Sequence, residues 1–508
     1  MHLIKYITGI LSFVLIFTSC QQSDSATESY DLLIQNAQII DGSGEEAYPA
    51  NVLIKGDEII KIEKDLTKTF EATRTINANG KILAPGFIDT HTHGDPLQTP
   101  EFPNFLSMGV TTIFMGQDGS SPKTTDLAAW MDEVDAAEPG VNVAMFAGHG
   151  TLRMLSGIEY DKTPSEEGFQ KLDQLVADAM KAGAFGVTTG LEYNPGYLAD
   201  RNELARVAKV VGEHEGIMMS HMRNEDDDAI EESLDEFLSL AEHCPVHVSH
   251  IKVVYAKGEE RAIEVLGVLN QKRQRGHTVT ADLYPYEASY TSISILFPEW
   301  AKPPADYNEV VASRGDELLT YLRNRVNLRN GPEATLLGTG EYKGKTLKQV
   351  AEEKGKAFER VLMEDIGPAG TSAAYFVMDE TVMKEFMKDP YVNICSDGSL
   401  TGNHPRGHGT FAKIIESYVV NEPVLKLEEA IHKMTGLAAK NVKLQNRGLI
   451  REGYKADMVL FEPSEVKAIA TYENPGQLAK GFDLVIVNGK IAKEGEEFKN
   501  RSGKIIKK

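Results

Sequence analysis

The chain has 508 residues, long for one core and enough for a large domain with a smaller companion. Its composition is globular, 42% hydrophobic and 25% charged. A net charge of −22 argues against nucleic acid as a partner, because that role needs basic patches.

The chain opens with Lys5, an apolar run from Ile7 to Phe17, then Thr18, Ser19 and Cys20. This is a secretory signal by pattern, too short to span a bilayer comfortably. It resembles a bacterial lipoprotein signal over residues 1–19, with Cys20 as the lipidated first residue of the mature chain. Phe17 stands where leucine is usual. An uncleaved anchor helix is the competing reading. Residues 20–29 are polar and serine-rich, a tether. The expected location is therefore the bacterial cell envelope, with a membrane partner through the lipid on Cys20. Cys244 and Cys395 are the other two cysteines and imply no disulfide framework.

After the tether come short alternating segments, "DLLIQNAQIID", "NVLIKGDEIIKIEK" and "TRTINANGKILAPGFID", separated by turn chemistry. The far end looks the same, with "ADMVLFEP", "FDLVIVNGKIAKEGEEF" and "GKIIKK". Residues 30–83 and 441–508 are expected to pair into one small β-domain. Between them, apolar β-type runs alternate with helical periodicity. The runs are "ILAPGFIDTHTH", then 109–116, 141–150, 183–193, 216–223, 246–252, 278–286 and 391–399. Eight strand–helix units in this order read as a TIM-like (β/α)8 barrel over residues 84–440. Residues 287–390 are too long for a barrel loop and form a structured insertion with helical patterns, placed after the seventh strand.

In such barrels the reacting groups stand at the C-terminal strand ends. The first strand ends in His91 and His93, which alternation turns to one side. The following ends carry Gln117 and Asp118, His149, Glu192, His221 and His250; the seventh carries Asp282, Tyr284 and Tyr286, and the eighth Asp397. Of 13 histidines, five stand at these ends, which packing alone does not explain. Imidazoles and carboxylates converging on one face suit divalent metal, zinc above all.

The motifs "APGFIDTHTHGD", "GVTTIFMGQDGSS", "GHGTLR", "GLEYNPGYLAD", "SHMRNE", "VSHIK", "DLYPY", "CSDGS" and "HPRGHGTF" together resemble those of metal-dependent amidohydrolases, and within them the N-acyl-D-amino-acid deacylases. The resemblance runs from about Asp31 to Lys490. It implies the barrel, a small β-sandwich built from both termini and a helical insertion before the last strand. It also implies zinc-dependent hydrolysis of N-acyl-D-amino acids, with one tightly bound zinc or two per chain. The chain departs from the superfamily in having no lysine at the fourth strand end to bridge two metals. Deacylases of this type often use a cysteine at the second strand; Asp118 stands there instead.

On this reading one zinc is held by His221, His250 and a bridging Glu192, with Asp118 as the alternative bridge. A second site uses His91, His93 and Asp397. Asp397 is the general base and then acid, and His149 or Tyr284 a further electrophile. A substrate with a free α-carboxylate needs a cation, for which Arg223, Lys252 and Arg406 are candidates, with Tyr286 beside them. Rival readings on the same fold are a dihydroorotase-like cyclic amidase, an isoaspartyl-type or other dipeptidase, and a non-catalytic metal-dependent binding lipoprotein. The sequence leaves the oligomeric state open.

Overall fold

The structure is a computed structural model that describes residues 29–508. The expected leader, tether start and Cys20 lie outside the described residues. Among these residues no helix is long and apolar enough to cross a membrane.

Eight parallel strand positions form the barrel: Phe87–Asp89, Val110–Met115, Asn142–Met145 continuing as Ala147–Gly148, Gly186–Gly190, Ile217–His221, Val246–Val248, Val279–Leu283 and Val392–Ile394. All are buried runs, as strands covered on both faces must be. Between the eighth and first strands the ring closes at its C-terminal end. There Asp397 N–H donates to the His91 carbonyl (2.9 Å) and His93 N–H to the Gly398 carbonyl (2.8 Å). The helices keep the expected signals. Ser165 caps Glu166–Ala182, which stops at Gly183 (φ 109°), and Asp200 caps Arg201–Glu213.

Both ends of the chain build one nine-stranded sheet, in which Ile82–Pro85 pairs with Met458–Phe461. It curls around its own apolar core, with Ile34, Val52, Leu83 and Ile486 fully buried. Phe87, Phe461 and Phe482 join it to the barrel through ring contacts. The last strand, Ile505–Ile506, leaves this sheet and pairs in parallel with the base of the third barrel strand. The C-terminal tail expected in the small domain thus ends as part of the barrel wall.

The insertion has its own core, including Leu296, Leu322, Leu337 and Tyr375. Its long helix Tyr307–Leu328 is present, kinked at Arg314. It also holds a three-stranded antiparallel sheet, Ala288–Ser292, Ser372–Phe376 and Thr335–Leu337, which the helical reading of this stretch missed. The insertion roofs the C-terminal end of the barrel, where a cavity of about 750 Å³ opens among residues from most of the strand ends.

Candidate metal centre

At the floor of this cavity three groups of side chains could hold a metal. His91, His93, Asp118 and Asp397 form the first; Asp118, His221 and His250 the second, which shares Asp118 with the first; Glu192, His221 and Glu225 the third, which shares only His221 with the second. In the first, His91 Nε2 lies 3.3 Å from Asp118 Oδ1, and His93 Nε2 lies 3.5 Å from Asp118 Oδ2 and 3.0 Å from Asp397 Oδ1. In the second, His250 Nε2 lies 3.4 Å from Asp118 Oδ1 and 3.1 Å from His221 Nδ1.

These separations fit a metal. Tetrahedral zinc with bonds of 2.0–2.2 Å sets its ligands about 3.3–3.6 Å apart. The donor atoms also lack other partners: Asp118 Oδ1 and both nitrogens of His91 are buried without a hydrogen bond. Burial alone would raise the Asp118 carboxyl, but His91 and His250 hold it well below the usual carboxylate range. It is therefore an anion facing the first two groups.

Backbone geometry delivers these ligands. Asp118, His250 and Asp397 all adopt left-handed conformations, with φ of 52°, 36° and 50°. Asp118 leans over the fourth strand at Gly190, where an added Cβ would stand 2.2 Å from the Asp118 carbonyl oxygen. Two buried aspartates below the centre hold the turns. Asp282 accepts His250 N–H (2.5 Å) and Thr90 Oγ1–H (2.6 Å). Asp89 accepts Ser396 N–H (2.9 Å), and burial pushes its carboxyl up to about 7.

Glu192 does not sit between the first two groups; it falls in the third, with His221 and Glu225. Its Oε2 lies 3.0 Å from His221 Nε2, the far side of that ring from His250. A histidine that offers Nδ1 to a metal donates its Nε2–H to a neighbouring carboxylate, which fixes ring orientation. Asp118, the alternative bridge in the sequence reading, is the carboxylate that stands between the first two groups, because the left-handed turn carries its short side chain to the centre. Glu192→Gln is accordingly expected to weaken zinc affinity about 10–100-fold while the saturated stoichiometry stays at the wild-type value, measured by competitive chelator titration.

Glu225 is a contributor that the sequence reading did not single out. Buried after the fifth strand, it lies 3.4 Å from His250 Nδ1 and accepts from Lys252 Nζ at 2.7 Å. Its signal was the acidic run "NEDDD" directly after the His221 strand.

Three expected site residues lie elsewhere. His149 is fully buried against Glu203 (2.8 Å), because the chain turns at Gly148 into the helix His149–Ser156 and carries the ring away. Arg223 grips Glu236 through two nitrogens, at 2.7 and 3.0 Å, and donates to the Tyr197 and Ala199 carbonyls. Its strand ends at His221, so two-residue alternation no longer applies. Tyr286 packs on His404, over Lys413 and under the Pro405 turn, and does not line the main cavity.

Lys252, Tyr284 and Arg406 do line it. Arg406 Nη1 lies 2.7 Å from Asp397 Oδ2, and its guanidinium stands 4.8 Å over the Tyr284 ring. Tyr284 Oη and Ser289 Oγ are buried without partners in the same wall. Burial pushes the Tyr284 phenol up to about 12, so it remains a donor at neutral pH. A cation with unsatisfied hydroxyls around it is a receptor for an anion.

Residues 316–492 match the model of an amidohydrolase family. The chain is 31% identical over 494 residues to a D-aminoacylase of Alcaligenes xylosoxydans xylosoxydans, covering 92% of this chain and 95% of that one. Its fold matches the N-acyl-D-glutamate deacylase of Bordetella bronchiseptica, solved with zinc and a phosphonate mimic of the tetrahedral intermediate. The TM-score is 0.82 at 28% identity, over 95% of this chain and 100% of that one. It also matches a D-aminoacylase described as having a binuclear metal centre, with a TM-score of 0.81 at 28% identity, over 94% of this chain and 100% of that one.

Proposed function

The chain belongs to the D-aminoacylase (N-acyl-D-amino-acid deacylase) family of amidohydrolases, and from that premise we propose how its residues hydrolyse the amide of an N-acyl-D-amino acid to a carboxylate and a free D-amino acid. The observation that carries the reading is the pairing of a two-part metal-ligand set around Asp118 with an anion receptor beside it.

His91, His93, Asp118 and Asp397 would hold zinc on one side, and His221, His250 and Asp118 on the other. Bound there, zinc polarises the amide carbonyl and acidifies water. Glu192 orients the His221 imidazole, and Lys252 Nζ, 2.7 Å from His250 Nδ1 and itself held by Glu225, orients the other. Asp397 takes the proton of the attacking water as the C–O bond forms, and returns it to the nitrogen as the C–N bond breaks. Arg406, with the Tyr284 and Ser289 hydroxyls, holds the α-carboxylate and so fixes which face of the amide meets Asp397. Lys252, tied to Glu225, adds positive charge to that wall.

The test is amine release from matched N-acetyl-D- and N-acetyl-L-amino acids by zinc-loaded protein. Hydrolysis confined to the D series, and lost on chelation, is the expected result; cleavage of cyclic amides or L-dipeptides instead overturns the reading. Arg406→Met should raise KM about 10–100-fold, the worth of a charged hydrogen bond, with Arg406→Lys recovering part of the loss because it keeps charge without the fork.

We also propose export and lipid anchoring at Cys20, supported by the charge, apolar run and small residues before it. Cys20→Ser should move the protein from the membrane fraction to the soluble one or leave it unprocessed. Wild type found in the cytoplasm without lipid would contradict this.

A further inference from the structure

The cavity is larger than a small N-acyl amino acid requires. At about 750 Å³ it lies well within the 300–1,000 Å³ that accommodates drug-sized ligands. Its anion receptor occupies only the wall formed by Tyr284, Ser289 and Arg406. An amide joins two halves at the reacting carbon, so a substrate anchored there by its amino-acid half sends its acyl half away from that wall.

Another wall of the same cavity is the helix His149–Ser156. Its cavity-lining residues are Gly150, Thr151, Met154 and Leu155, which lie on one helical face. The helix starts against the Asp118 turn: Thr151 N–H donates to the Gly119 carbonyl (3.1 Å), and Ser121 N–H to Thr151 Oγ1 (3.0 Å). From there the face runs outward for about 7 Å at 1.5 Å per residue. Its chemistry changes along that line. Gly150 leaves room beside the centre, where an added Cβ would stand 3.0 Å from the Gly119 carbonyl oxygen. Met154 and Leu155 follow at the open end, with Met154 38% exposed. Pro195 and Tyr160 line the same cavity.

We propose that this face is the acyl subsite, and that it takes an extended apolar acyl group, a medium-length aliphatic chain rather than acetyl or formyl. The inference rests on the deacylase reading and adds the class of acyl group to it. Met154 and Leu155 are the specificity-determining residues: they cover the chain beyond its second carbon and make no contact with the reacting atoms.

The experiment compares kcat/KM for N-acetyl and N-hexanoyl derivatives of one D-amino acid. Each buried methylene contributes roughly a fourfold gain, so the hexanoyl substrate should lead by at least about tenfold. In Met154→Glu/Leu155→Glu that hexanoyl-to-acetyl ratio should fall at least about tenfold. Should this double variant fail to fold, Met154→Glu alone, at an exposed position, reads the same ratio. A wild-type ratio at or below one, or a ratio that neither variant moves, overturns the acyl subsite while leaving deacylation intact. Absence of hydrolysis for both substrates overturns the deacylase reading and this inference with it.

Discussion

Asp118→Ala should strip zinc from the His221 and His250 side of the metal centre, weaken its hold on the other side, and lower kcat by about 10³-fold or more. Asp118 is the shared member of the first two ligand groups, and its Oδ1 faces His91 at 3.3 Å and His250 at 3.4 Å. Two divalent ions a few ångströms apart repel, and an anion between them offsets that repulsion. Without the carboxylate, His221 and His250 are left as two neutral ligands of a site that had three. Metal analysis after dialysis, with kcat at saturating zinc, checks this. Two zinc ions retained in Asp118→Ala would return the bridge to Glu192.

Asp397→Asn should keep zinc on the His221 and His250 side yet lower kcat about 10²–10⁴-fold, the usual contribution of a positioned acid–base group. Asparagine is nearly isosteric but cannot accept and return a proton. Burial alone would raise the Asp397 carboxyl; Arg406 beside it, with His250 and His91, instead holds it far below the usual carboxylate range. It therefore remains an anion across the working pH range. KM should change less than kcat, because Arg406 remains to hold the substrate carboxylate. Turnover within tenfold of wild type would remove Asp397 from proton transfer.

The barrel was legible because its strands are buried runs that end in polar residues, and the helices between them carry their caps and glycine stops. His91, His93, His221 and His250 could be placed for the same reason, each standing at or near a predicted strand end. The bridge could not. Which carboxylate reaches the centre depends on a left-handed turn at Asp118 and on which nitrogen of His221 faces inward, and neither is encoded in spacing. Arg223 and His149 show the limit from the other side: two-residue alternation fails once the chain leaves the strand, at His221 in one case and Gly148 in the other. In the insertion, strands as short as Thr335–Leu337 carry too few residues for periodicity to register. The terminal Ile505–Ile506 strand reads like its neighbours in the small sheet, and only tertiary pairing sends it to the barrel.

The most direct measurement is anomalous diffraction at the zinc edge from crystals of the zinc-loaded protein grown with a phosphonate analogue of an N-acyl-D-amino acid. Zinc peaks are expected on either side of Asp118, with Glu192 on His221 Nε2 and the analogue's carboxylate on Arg406. Zinc centred on Glu192 with Asp118 turned away, or a carboxylate bound far from Arg406, would contradict it.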